Sequence, residues 1–285
     1  MLNVYDSLSN IKRVHLFEIT ILKISILSFI AHICFIFFSN TTNLIGNLDQ
    51  SYLKAIYTPF SFILYYEVFL LVIIIPKSIS EFIGKQFEII ALITLRGFFH
   101  DIADINFSEI HTLDNPNFIS ILYDLSASAI MLFTTFVYNK MYKSIGVKDA
   151  TVDLNQFIKI KKLLSVIMCG VLVILSFISL ITWLTDVSIA FKLKSQFPNP
   201  NTVFYSDFFT IMIFVDVLLL IISFIYQCSF NLIFRNASFI ITTILLRMSL
   251  SMEKPINYLI ILLGFTFSIV TYYLYSKMVF DKKEE

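Results

Sequence analysis

Apolar runs of about twenty residues, separated by short polar stretches, recur along almost the whole chain. A helix needs about 20 apolar residues to cross the hydrocarbon of a bilayer. On that length the pattern predicts eight spans, at roughly 14–38, 57–76, 82–100, 117–139, 162–185, 207–229, 235–251 and 256–278. The third and seventh are the shortest. Pro76 ends the second span, and Lys77 to Gln86 read as a tight polar turn. Pro116 and Pro255 fall at the starts of the fourth and eighth, where the first helical turn tolerates proline. The expected fold class is all-α: a polytopic integral membrane protein with eight transmembrane helices.

Composition agrees. The chain has 285 residues, 58% hydrophobic and 14% charged, with mean hydropathy +0.82. Soluble domains average roughly 45–50% apolar and about 25% charged. Spans and short connections use nearly all the length, so the partner that composition identifies is the lipid bilayer. A net charge of +1 offers no electrostatic footing for nucleic acid. Cys34, Cys169 and Cys228 lie in or beside apolar runs without metal-ligand spacing, and read as buried free thiols. Lys12 and Arg13 precede an apolar run too long for a signal peptide, so the first span is expected to stay in place.

Charge placement orients the spans. With the N-terminus inside, the inner segments hold fourteen Lys and Arg, including Lys12, Arg13, Lys77, Lys85 and Arg235. The outer segments hold four: Lys54, Lys192, Lys194 and Lys254. That asymmetry predicts a multi-pass protein of the cell membrane with both termini cytoplasmic.

The pattern also repeats, with a period of about 150 residues. Glu67-Val68 recurs as Asp216-Val217, Leu95-Arg96 as Leu246-Arg247, and Lys140-Met141 as Lys277-Met278. Each half holds four spans, an even number, so both halves run the same way. The expectation is two parallel four-helix repeats, 1–145 and 146–285, related by an axis along the membrane normal and joined in the basic loop 140–161.

Against this background four charges stand out. Arg96 and Arg247 lie inside apolar runs, and each follows an acid in the preceding span, Glu67 and Asp216. A charge at membrane depth costs several kcal/mol unless paired or wetted. Helical side chains lean toward their own N-terminus. On adjacent antiparallel helices Glu67 therefore leans toward Arg96, and Asp216 toward Arg247. Glu88, eight residues before Arg96, shares nearly the same face, or sits at the inner interface beside Lys85. Asp124, early in the fourth span, is a second acid within reach of Arg96. His32 has no partner in the sequence pattern and reads as a satisfied packing residue.

A further cluster, His100, Asp101, Asp104, Glu109, His111 and Asp114, lies in one outer connection without Lys or Arg. Imidazole with carboxylate oxygens suits a divalent ion such as zinc or manganese, and His100, Asp101, Asp104 and His111 are the candidate ligands. The competing reading is an ordinary solvated acidic loop. No other cofactor is indicated. Phosphate-cradling glycine loops, HExxH, GxSxG and paired-cysteine zinc motifs are all missing, and so is the arginine ladder of a voltage sensor. No enzymatic reaction is therefore indicated.

The leading expectation is an ion channel or transporter for an ion or small solute, with Glu67, Arg96, Asp216 and Arg247 bordering the pathway and Glu88 and Asp124 beside it. One alternative is a non-conducting membrane subunit that uses the same pairs as structural locks. Another is a membrane metal-binding sensor or enzyme using the outer loop. A homo-oligomer would place the pathway between subunits.

Overall fold

The structure is a computed structural model describing residues 2–42, 52–103, 116–145, 154–193, 203–226, 230–249, 252 and 255–284. These residues are nearly all helical (96%). Nine α-helices occur among them: α1 (Leu2–Leu8), α2 (Ile11–Thr42), α3 (Tyr57–Ile74), α4 (Ile79–Ala103), α5 (Pro116–Ile145), α6 (Leu154–Leu193), α7 (Val203–Tyr226), α8 (Phe230–Ser249) and α9 (Ile256–Glu284). A 3-10 turn, Tyr52–Ile56, precedes α3.

Among the described residues, five helices are long and apolar enough to cross a membrane, with apolar segments Ile11–Phe38, Ile119–Met141, Gln156–Thr182, Asp207–Tyr226 and Ile256–Met278. The protein is therefore an all-α membrane protein. Of the eight expected spans, five meet that length and composition, so the eight-span count is not shown. In α3 the apolar segment, Thr58–Ile74, is shorter. In α4 and α8 it is diluted by polar residues, among them Lys85, Glu88 and Arg96 in the one and Arg235, Asn236 and Arg247 in the other.

Most of those polar residues face inward. Thr94 and Arg96 of α4 are buried, as are Arg235, Asn236, Thr242, Thr243 and Arg247 of α8. Among the described side chains of α8 the exposed positions are Phe234 (48%), Ile241 (50%) and Met248 (48%), spaced seven apart on one stripe. A water-soluble helix has the opposite arrangement. A helix with a polar face inside and an apolar stripe outside suits a surrounding medium of hydrocarbon. Exposed large apolar side chains also cover α2, α5, α6 and α9, far beyond the few-hundred-Å² patches that water tolerates. Several buried hydroxyls are satisfied on their own helices: Ser128 donates to the Asp124 carbonyl at 2.6 Å, and Thr242 to the Ser238 carbonyl at 3.0 Å.

The turn between α3 and α4 is tighter than expected. Pro76 ends α3, but the helix restarts at Ile79 because Ser78 caps it. The Ser78 hydroxyl accepts from the Glu81 N–H at 3.1 Å, in the Ser-x-x-Glu arrangement that starts helices. The segment 79–86, read as turn, is thus the first two turns of α4. Side chains from elsewhere close the end of α3. Tyr5 of α1 donates to the Ile73 carbonyl (2.9 Å), Ser165 of α6 to the Val72 carbonyl (2.7 Å), and Lys161 to the Lys77 carbonyl (2.6 Å). They satisfy carbonyls that a helix end leaves without a partner. Pro116 opens α5 and Pro255 immediately precedes α9, as their ring chemistry predicts.

Two apolar clusters hold the bundle. One joins α3, α4, α6 and α7 around Val68, Leu71, Phe208 and Met212. The other joins α4, α5, α8 and α9 around Phe87, Tyr138, Phe239 and Phe265. Each draws on both halves of the chain. Helix α4 belongs to both clusters, and its remaining face meets α8.

Candidate functional site: a buried polar seam

Asp216 lies midway along α7 and Arg247 in the last turn of α8. Arg247 Nη1 donates to Asp216 Oδ2 at 2.5 Å, with the carboxylate 1% exposed and the guanidinium 3%. Thr243, one turn before Arg247 on the same face, donates to the same oxygen at 2.9 Å. The expected convergence of acid and arginine is therefore present in this hairpin. The hydrogen bonds are charge-assisted, and the pair contributes no net charge at this depth.

A third helix joins them. Gln86 of α4 reaches the Asp216 carboxylate without closing a hydrogen bond of ordinary geometry, and both of its amide atoms have no protein partner. Asp216 Oδ1 and Arg247 Nη2 are likewise buried without a partner. Gln86 and Arg247 line a small cavity, with room for about one water, whose other walls are Leu71, Ile89, Ile90 and Phe209.

The first hairpin differs from expectation. Glu67 pairs with Lys85, not with Arg96. Lys85 also binds Glu88 at 2.9 Å, and Asn139 of α5 donates to Glu88 at 3.2 Å. The cause is register. Because α4 restarts immediately after the short turn, the residue level with Glu67 is Lys85. Arg96 stands eleven residues further along α4, about 16 Å of helix rise. Leaning side chains cannot close that gap. Of the two placements weighed for Glu88, the one beside Lys85 is observed.

Arg96 is buried in α4. Asp124 of α5 is fully buried beside the next residue of that helix, its carboxylate 3.6 Å from where a side chain on Gly97 would begin. The Tyr258 hydroxyl of α9 donates to Asp124, tying α9 to α5. At the end of α4, Asp101 accepts from Ser120 at 2.7 Å. His32 is satisfied by Thr58 at 2.6 Å. Cys34 and Cys169 are free thiols, but neither is buried as expected: Cys34 is exposed and Cys169 half-buried.

Of the proposed metal ligands, Asp104, His111 and the side chain of His100 lie outside the described residues. Among the described residues no group of His, Cys, Asp or Glu could hold a metal ion.

Sequence reasoning missed Lys85 as the partner of Glu67, and Gln86, Thr243 and Tyr258 as members of these clusters. Thr243 had a signal, its i, i+4 spacing to Arg247. Gln86 and Tyr258 had none, since each meets its acid from a distant part of the chain. Comparison of the chain with protein-family models, curated proteins and solved structures finds no match in any of the three.

Proposed function

We propose that the protein is a channel or transporter of the cell membrane that carries an ion or small solute along the seam between α4, α7 and α8, and that the structure described is its closed state. In this reading all eight long helices span the bilayer. Helices α3, α4 and α8 do so despite their length or polarity because their polar faces bury one another. Both termini are cytoplasmic. The eight helices form two parallel repeats, 1–145 and 146–285. The recurrence of packing order supports this: α2 to α5 each pack on the next, α6 to α9 do the same, and α4 meets α8 as α5 meets α9.

The observation that carries the reading is the group of buried polar atoms without partners at Gln86, Asp216 and Arg247. An unmet polar group in hydrocarbon costs several kcal/mol. A dry lock would strand these four atoms, whereas a seam that admits water satisfies them. Asp216 and Arg247 are then the gate. Glu67, Lys85 and Glu88 form the cytoplasmic approach, and Arg96 and Asp124 the outer one. Closure is the paired state, and opening separates the carboxylate from the guanidinium.

The second reading, a non-conducting subunit with the charges as locks, is favoured by the close packing around the pair, which leaves space for about one water. Flux separates the two. Purified protein in phosphatidylethanolamine–phosphatidylglycerol liposomes is given K⁺, Na⁺, Cl⁻ and H⁺ gradients in turn. At least one gradient should dissipate faster than in empty liposomes. The folded double variant Asp216→Asn/Arg247→Gln should change that rate or the order of preference. Folded wild-type protein that dissipates none of the four gradients refutes the conducting reading.

A further inference from the structure

The four unpartnered atoms and the cavity have one common solution. Gln86 is 3% exposed and Arg247 5%, and both line the cavity. Its remaining walls, Leu71, Ile89, Ile90 and Phe209, are apolar and offer a guest nothing to bind. The space suits one water and excludes a hydrated ion. Arg247 Nη2 offers a proton, and the Gln86 side chain offers both an amide oxygen and an amide N–H. With the amide nitrogen turned to Asp216 Oδ1, its oxygen is left facing the cavity.

We propose that this cavity is a binding site for a single water molecule, which accepts from Arg247 Nη2 and donates to Gln86 Oε1, while Gln86 Nε2 donates to Asp216 Oδ1. All four atoms are then satisfied. The water has at least two polar partners, the minimum for buried water in proteins. It also gives the guanidinium a ligand besides Asp216, so the pair can loosen without stranding a bare charge. Gln86 is thus the residue through which α4 acts on the α7–α8 pair. The site requires no conduction, so the flux result above does not bear on it.

The sign of one stability change tests this. Gln86→Leu removes both amide atoms at nearly constant volume. In a dry cavity the change deletes two unmet polar groups and raises the Tm of the detergent-solubilised protein. With water bound, it removes the water's acceptor and leaves Arg247 Nη2 and Asp216 Oδ1 unmet, and Tm falls by about 3–6 °C. An unchanged or higher Tm overturns the proposal. Should the variant not fold, wild-type protein in bilayers decides. Water-edited solid-state NMR should transfer magnetisation from water protons to the Arg247 Nη and Gln86 Nε nitrogens. No transfer to either, with exposed lysines giving normal signals, overturns it equally.

Discussion

Asp216→Ala is expected to lower the stability of the detergent-solubilised protein by about 3–5 kcal/mol, the largest effect of any single change outside the apolar clusters. The carboxylate is almost wholly buried, and its loss strands a guanidinium that is equally buried. Arg247→Ala should do comparable damage by stranding the acid. Asp216→Leu/Arg247→Met removes both charges with little change in volume and should recover most of the loss, because a buried pair replaced by apolar groups is often neutral or better. A double-mutant cycle by thermal unfolding reads this directly. If the two single losses simply add, Asp216 and Arg247 are not an energetic unit.

The second large effect distinguishes the observed first hairpin from the expected one. Glu67 and Lys85 are 17% and 13% exposed, so their ion pair is only weakly screened. A cycle between Glu67→Gln and Lys85→Met should give a coupling of about 1–3 kcal/mol. The same cycle between Glu67→Gln and Arg96→Met should give less than about 0.5 kcal/mol, as for residues well apart. Strong coupling to Arg96 and none to Lys85 would restore the sequence-based pairing and refute the register.

That register shows where reading the sequence stops. Helical content and the long apolar runs follow from composition and period, and Pro76 and Pro116 mark their ends through ring chemistry alone. The α7–α8 pair was legible as well. Asp216 stands ten residues before the end of α7 and Arg247 seventeen after the start of α8, an offset of about 10 Å that leaning side chains close. The α3–α4 pair was not. Its outcome depends on whether residues 79–86 are turn or helix, which the Ser78 cap decides. Eight residues of error there displace every cross-helix contact by more than two turns. Nor could mean hydropathy show how α4 and α8 are accommodated. Their polar faces are buried by other polar faces contributed from distant sequence, and a sliding window sees only dilution. Gln86 belongs to the site for the same reason: only the packing of α4 on α8 brings it to Asp216.

The account depends on α8 being inside-out, with charge and hydroxyl groups toward the protein and the Phe234, Ile241, Met248 stripe toward lipid. Spin labels placed singly at Ile241 and at Met248 in protein reconstituted into bilayers test this most directly, through their collision rates with oxygen and with a water-soluble nickel chelate. High oxygen and low nickel accessibility at Ile241 is the predicted result, since that position sits at mid-helix. High nickel accessibility at Ile241 would mean that water bathes the stripe, and the buried charges of α8 would then need a different explanation.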